Sequence, residues 1–317
     1  MERIPDTIAL TSTEAAALLD VHPSTVKRWC NDGELDSELT PGGHRRISID
    51  AAMAFARGRG IGTILTPFHP FEPHVWTVLR ALLDQGSYDE LVALAMQWAR
   101  RGDFERLERL FLALGRSPQL PFHDYVDEAV RGLLASVGHD WQQGKLRVGD
   151  EHLVTQAIAG ALYVLRREWI TSFGGDGFGS NGRPDARRTA VVGTLEGNQH
   201  ALGALCVRML LEREGWRVFY PGADVPVEDF AMIQRSRDAS LVCVSLPPGA
   251  SLGDVTRTLS AFRPHYDRAR PYSVAFGGGT AVTLEGEIQE SPFESVAFYP
   301  ACRSLRAAVS PGSPTAT

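Results

Sequence analysis

The sequence predicts a multidomain chain, α-helical in its first half and α/β in its last third. Three observations predict it. The first sixty residues hold two short helical patterns joined by a tight turn; about a hundred residues of helical apolar periodicity follow; and from Thr189 onward strand and helix patterns alternate. A chain of 317 residues is long enough for roughly two or three domains, and its 44% apolar content is ample for packed cores. We place the domains at 1–60, 74–172 and 188–309.

Composition excludes several classes. Cys30, Cys206, Cys243 and Cys302 lie far apart with no CxxC pair, which argues against a zinc module or a disulfide scaffold and suits a reducing cytosol. No apolar run approaches the ~20 residues that span a bilayer, and no charged-then-apolar leader opens the chain. The expectation is a cytoplasmic protein with no membrane partner. A net charge of −6 does not advertise nucleic-acid binding, so any such signal must be local.

The first segment supplies that signal. Thr11-Ser12-Thr13-Glu14 is a helix start in which a hydroxyl cap precedes an acid, and 15–19 follows as a short helix. A turn at 20–23 leads to a second helix at 24–30, with Ser24 as its expected cap. Thr25, Lys27 and Arg28 lie on or near the face that would enter a major groove. Pro41-Gly42-Gly43 then reads as a hairpin turn before His44, Arg45 and Arg46, a wing able to grip phosphates. With Trp29 near the end of its second helix and this Gly-Gly-His-Arg-Arg wing, the segment resembles the winged-helix head of the MerR family of transcription regulators. A small helical interaction domain with incidental arginines is the bland alternative. Residues 1–60 carry 7 Lys and Arg against 9 Asp and Glu, so one head should bind double-stranded DNA weakly and need several copies at once.

The segment 58–73, punctuated by Gly58, Gly60, Gly62, Pro67, Pro70 and Pro73, reads as a linker. Beyond it, Val75, Leu79, Leu82 and Leu83 form one helical face, Leu91, Leu94, Ala95 and Trp98 a second, and Leu107, Leu110, Phe111 and Leu114 a third. Longer helices are expected at 125–141 and 151–170, and short connections make a bundle of antiparallel neighbours the natural product. Trp141 ends one helix; after a polar connector at 142–150, Glu151-His152 opens the next with Asp150 as cap. Taken alone, Trp141 reads as core and Glu151-His152 as a solvated helix start.

A Gly-rich run at 174–182 reads as a second, poorly ordered linker, and the tail at 310–317 as frayed. Between them, strands are expected at 190–195, 217–220, 241–246, 272–276 and 295–299, with helices at 201–214, 227–237 and 251–262. Five strands with crossover helices predict a parallel, doubly wound sheet of flavodoxin-like order, its ligand crevice between the first and third strands. His200 and Gly203 follow the first strand, Ser245 ends the third, and Gly277-Gly278-Gly279 follow the fourth. His200 by itself is equally readable as an exposed loop histidine. Dinucleotide binding is disfavoured because the first turn lacks GxGxxG; a Walker loop is absent; and Ser245 stands where a phospho-receiver needs aspartate.

The His-x-x-Gly of 200–203, Ser245, Gly277 and Gly278 are similar to the cobalamin-binding domain shared by methionine synthase and the corrinoid proteins. That resemblance implies His200 as the lower cobalt ligand, the nucleotide tail in the glycine-lined slot, and the helical bundle as a cap over the upper face. The family usually has an acid two residues before the histidine, where this chain has Asn198, an amide that accepts a hydrogen bond but would not raise ligand basicity. Ser245 is followed by Leu246-Pro247 rather than by one residue and a leucine.

Head, cap and sheet together resemble the CarH and LitR photoreceptor repressors, over nearly the whole chain. The resemblance implies adenosylcobalamin as chromophore, Trp141 packed on the upper adenosyl group, Glu151 hydrogen-bonded to it, and His152 as upper cobalt ligand after light. It also implies a dark tetramer on operator DNA, released by light, and no catalytic turnover. A light-independent cobalamin sensor, a corrinoid shuttle for methyl transfer, and a regulator binding another ligand remain the competing expectations.

Overall fold

The computed structural model describes residues 9–172, 188–278 and 292–310, so the glycine run from 174, Gly279 and the tail beyond Ser310 lie outside the described residues. The chain divides into two compact units, Met1–Ala113 and Leu114–Thr317.

The first unit opens with strand β1 (Ala9–Leu10) and helix α1 (Ser12–Leu18). Thr11 caps α1, its hydroxyl accepting from the Glu14 N–H at 3.2 Å while Glu14 accepts from the Thr11 N–H at 2.7 Å, a complete capping box. Helix α2 (Pro23–Asn31) starts one residue earlier than the sequence reading allowed. His22, not Ser24, is its cap: the His22 Nδ1 accepts from the Ser24 N–H at 3.2 Å, because Pro23 has its φ preset for the first helical position and moves the start forward.

Strands β2 (Glu38–Leu39) and β3 (Arg45–Ser48) form the expected hairpin, with Leu39 opposite Arg45 and Glu38 opposite Arg46. The Gly43 N–H closes the turn on the Thr40 carbonyl at 2.8 Å, and Gly43 takes a φ of +76°, open to glycine at no steric cost. β1 joins the other edge of β3, giving a three-stranded antiparallel sheet of order β1-β3-β2. Helix α3 (Ile49–Gly58), capped by Ser48, was not anticipated.

The expected linker at 58–73 is packed instead. Leu65 and Phe68 are fully buried, a single 3-10 turn spans Thr66–Phe68, and the Phe68 ring stacks on Trp98 at 5.9 Å. Apolar side chains among the glycines and prolines outweigh the breaker signal, since each fully buried one contributes about 2 kcal/mol. Helix α4 (Glu72–Gln85) buries Val75, Val78 and Leu82 and leaves Leu83 54% exposed, so Val78 replaces Leu83 on the predicted face. The carboxylate of Glu72, also buried, is met by Arg57 at 2.7 Å, and Arg80 of α4 pairs with Glu14. Helices α5 (Asp89–Arg100) and α6 (Phe104–Gly115) bury the faces that periodicity assigned them.

The second unit begins with a short turn α7 (Phe122–Asp124) that runs through a π-helical stretch, Tyr125–Val130, into α8 (Arg131–Gln142). Helix α9 (Val148–Ser172) begins earlier than expected. Asp150 is therefore not its cap but sits in the first turn, its carboxylate accepting from the Arg147 N–H at 2.9 Å.

The five-stranded parallel sheet follows: β4 (Thr189–Leu195), β5 (Arg217–Val225), β6 (Leu241–Ser245), β7 (Ser273–Gly277) and β8 (Val296–Tyr299) in the order β5-β4-β6-β7-β8. By order within this sheet the strands run 2-1-3-4-5, the predicted flavodoxin-like topology, with its switch point between β4 and β6. Helices α10 (Leu202–Arg213) and α13 (Cys302–Val309) pair together, as do α11 (Val227–Arg237) and α12 (Leu252–Phe262). Both α10 and α11 pack on β4, which explains why this strand reads as a continuous apolar run buried on both faces. Gly193 in β4 admits no side chain, since a Cβ there would stand 2.7 Å from the Gly222 carbonyl.

Helix α13, unannounced by the sequence reading, is held by Asp127, whose buried carboxylate accepts from the backbone N–H groups of Cys302 at 2.7 Å and Arg303 at 2.9 Å. Arg131 donates to the Pro300 carbonyl at 3.2 Å beside it. The helical segment before the sheet is thereby fastened to its last helix.

Candidate functional site

At the carboxyl edge of the sheet, the 196–201 turn carries His200 out of β4 and into α10. His200 is exposed, and its place is fixed by its neighbours. Asn198, only 6% exposed, donates from Nδ2 to the Ser245 carbonyl at 2.9 Å and accepts at Oδ1 from the His200 N–H at 3.0 Å. The sequence thus marked three residues of one cluster: His200, Asn198 and Ser245 meet where β4 and β6 end.

Gly203 lies one helical turn further on, where a Cβ would stand 2.9 Å from the Ser245 Oγ. Gly278 takes a φ of +138°, and a Cβ there would stand 3.0 Å from the Leu246 carbonyl; at Gly277 it would stand 3.4 Å from the Tyr299 carbonyl. Missing side chains at these three positions line the edge where the crevice opens, as a cradle for a long ligand requires.

Sequence reasoning missed two residues here. Asp224, at the end of β5, accepts from the Gly197 N–H and from Gln199 Nε2, both at 2.7 Å. Tyr220 donates its hydroxyl to the Ala201 carbonyl at 3.3 Å, and burial, with Tyr163 nearby, pushes that hydroxyl up to about 12. The reading ended this strand at Tyr220, before Pro221-Gly222, but the strand absorbs that pair at a register shift between the Val191–Phe219 and Gly193–Gly222 pairs and runs on to Val225.

On the helical side of the same unit, Trp141 near the end of α8 is 49% exposed. The core reading of this indole is excluded. Glu151 and His152 lie in the first turns of α9, with His152 Nδ1 at 3.3 Å from the Glu151 carboxylate and the His152 ring facing solvent. Val148 and Leu153 are exposed beside them. Among the described residues, no hydrogen bond or ion pair joins Trp141, Glu151 or His152 to the strand loops.

In the head, Lys27, Arg28, His44 and Arg46 are exposed, and Thr25 is half-buried on α2. Arg45 differs: its guanidinium pairs with the Asn31 side chain at the end of α2, so it braces wing against helix. Arg59 performs a similar service, lying over the rings of Trp29 at 5.3 Å and Phe55 at 4.6 Å.

Comparison with known proteins agrees with this geometry. Residues 188–298 match the B12 binding domain and residues 9–59 a helix-turn-helix domain. The HTH-type transcriptional repressor CarH of Myxococcus xanthus is 30% identical over 156 residues, 49% of this chain and 47% of that protein. Dimethylamine corrinoid protein 3 of Methanosarcina acetivorans is 23% identical over 127 residues, 40% of this chain and 55% of its own. The matches thus span about half the length of these curated relatives. The monomethylamine corrinoid protein of Methanosarcina barkeri shares the fold, with a TM-score of 0.51 at 16% identity over 68% of this chain and 95% of that one.

Fold and matches define the class: a helix-turn-helix head on a chain whose sheet is a B12-binding domain. In that combination the chain matches a CarH-type regulator. Among the described residues no helix is long and apolar enough to cross a membrane.

Proposed function

We propose that this protein is a light-responsive transcriptional repressor with adenosylcobalamin as its chromophore. The observation that carries the reading is Trp141, a half-exposed indole in the unit that also presents His200, with nine residues between it and the Glu151-His152 pair. A half-exposed indole has forgone about half of the ~2 kcal/mol or more its full burial would contribute, and a flat apolar cofactor face is a partner that would recover it.

Bound adenosylcobalamin would supply visible absorption and a cobalt–carbon bond weak enough for light to break. The protein's residues do the rest. His200 is assigned as lower cobalt ligand, with Gly203, Ser245, Gly277 and Gly278 lining the tail slot and Asn198 holding the loop. Trp141 and Glu151 are assigned to the upper adenosyl group, and His152 to the upper cobalt position after light. Glu151 keeps Thr155 as a hydrogen-bond donor at 3.2 Å, so its carboxylate is held on the helix, with the exposed His152 ring beside it at 3.3 Å.

Domains at 1–60, 74–172 and 188–309, a dark tetramer, operator DNA as partner and a cytoplasmic setting complete the proposal. The head supports it by presenting Lys27, Arg28, His44 and Arg46 to solvent on a helix and wing braced together by Arg45. Single heads with more acidic than basic residues bind weakly, so assembly into a tetramer is the natural gate on repression.

The test is the absorption spectrum and sedimentation of protein loaded with adenosylcobalamin in the dark, before and after green light. The expected result is a tetramer that dissociates as the alkylcobalamin spectrum gives way to a stable bis-histidine one, and His152→Ala should lose that product. Bound cofactor with no response to light would favour a metabolite sensor, and no bound cofactor would overturn the assignment of His200.

A further inference from the structure

The acid expected two residues before His200 is replaced by Asn198, and the structure shows what the amide does there. Only one orientation of the Asn198 side chain satisfies both of its neighbours. Its Nδ2 faces an acceptor, the Ser245 carbonyl at 2.9 Å, and its Oδ1 faces a donor, the His200 N–H at 3.0 Å. Reversed, oxygen would meet oxygen and N–H would meet N–H. A carboxylate, which only accepts, would serve the His200 N–H but set a charged oxygen against the Ser245 carbonyl in a nearly buried place.

Asp224 holds the same loop from the other side. Its carboxylate spans Gly197 and Gln199, the two residues flanking Asn198, at 2.7 Å each. Its own N–H donates to Thr194 Oγ1 at 3.1 Å and to the Asn198 carbonyl at 3.2 Å, and the Thr194 hydroxyl donates to that same carbonyl from a fully buried position. Asp224 reaches these partners by adopting a φ of +59°, a region that costs a residue other than glycine about 1 kcal/mol or more. The imidazole of His200 has no side-chain hydrogen bond among the described residues, so what the loop fixes is the place of its backbone and Cβ.

We propose that Asn198 and Asp224 are the positioning residues of His200, and that this loop requires an amide at 198. The acid is displaced to the neighbouring strand, where it orders the turn rather than touching the ring. Restoring the usual acid, Asn198→Asp, therefore weakens the site rather than improving it. The role toward a ligand rests on the assignment of His200 to cobalt; the role in ordering the loop does not.

Two measurements on full-length protein separate these. The first is hydrogen exchange of the 196–200 amides without cofactor in wild type, Asn198→Asp, Asp224→Ala, Asp224→Asn and His200→Ala. Protection should fall in Asn198→Asp and Asp224→Ala, return in part in Asp224→Asn, and hold in His200→Ala, with the sheet core protected throughout as the check on folding. The second is titration with adenosylcobalamin, reading the affinity and the histidine-ligated fraction from the spectrum. Asn198→Asp and Asp224→Ala should bind at least about tenfold more weakly, the loss expected when the groups orienting a metal ligand are removed. Unchanged loop protection in both variants, or tighter histidine ligation in Asn198→Asp, would overturn the proposal. Failure of wild type to bind would instead overturn the cobalt assignment, leaving the exchange result to decide the positioning role.

Discussion

Arg166 of α9 meets Glu212 of α10 through two parallel hydrogen bonds, Nε to one carboxylate oxygen and a terminal nitrogen to the other, both at 2.7 Å. Arg208 donates to the same carboxylate at 3.0 Å. Glu212 is 6% exposed, so a nearly buried acid serves two guanidiniums that retain some water. Removing the acid strands both cations, whereas a fully desolvated pair would cost more. Glu212→Ala should therefore lower unfolding stability by about 2 kcal/mol, somewhat less than the roughly 3–5 kcal/mol of breaking a fully buried pair. Urea denaturation checks this, and a loss below about 0.5 kcal/mol, typical of a surface substitution, would show that the bridge contributes little.

Glu14 gives a stability change with a definite sign in pH. Burial pushes its carboxyl up, but hydrogen bonds from the Thr11 N–H and hydroxyl and the Arg80 guanidinium outweigh this and leave it below the usual carboxylate range. A depressed folded value means stability is present above the unfolded value and lost as pH falls through the folded one. Wild type should exceed Glu14→Gln by up to about 1 kcal/mol at neutral pH, and the gap should close as pH falls through and below the ordinary carboxylate range. A gap that widened in acid would show the sign to be wrong.

What could be read from the sequence was whatever a short pattern determines. The alternation from Thr189 placed all five sheet strands and their order, because parallel strands buried on both faces leave uninterrupted apolar runs such as that of β4. Single-residue placements failed where competing groups decide them. Pro23 moved a helix start, Phe68 turned a supposed linker into core by stacking on Trp98, and Val78 displaced Leu83. The clustering of His200, Asn198 and Ser245 was legible from topology. Asp224 was not, because its carboxylate's partners, the Gly197 N–H and the Gln199 side chain, lie in the turn after a neighbouring strand and no spacing rule announces them.

The glycines at the crevice should separate by substitution. An alanine at Gly278 would need a φ of +138° and crowd a backbone carbonyl, which cannot yield, so Gly278→Ala should destabilise by about 1–3 kcal/mol. At Gly203 the close atom is the hydroxyl of Ser245, which can rotate away. Gly203→Ala should leave thermal stability within about 0.5 kcal/mol of wild type and yet weaken cobalamin uptake by narrowing the cradle. Equal loss of stability in both variants would remove the distinction.

The head makes the last prediction, which turns on the difference between a charge that meets phosphate and one that braces the fold. Lys27, Arg28 and Arg46 are exposed, whereas Arg45 is engaged by Asn31. A side chain that neutralises a phosphate releases counterion, so deleting it lowers the slope of log affinity against log salt by about 1. Alanine at Lys27, Arg28 or Arg46 should show that change on nonspecific double-stranded DNA. Arg45→Ala should weaken binding by loosening the wing from α2 while leaving the slope close to wild type, because Asn31 already occupies its guanidinium. Titrations of full-length protein at several salt concentrations distinguish the two behaviours, and a slope that falls equally for Arg45→Ala would make Arg45 a phosphate contact and not a brace.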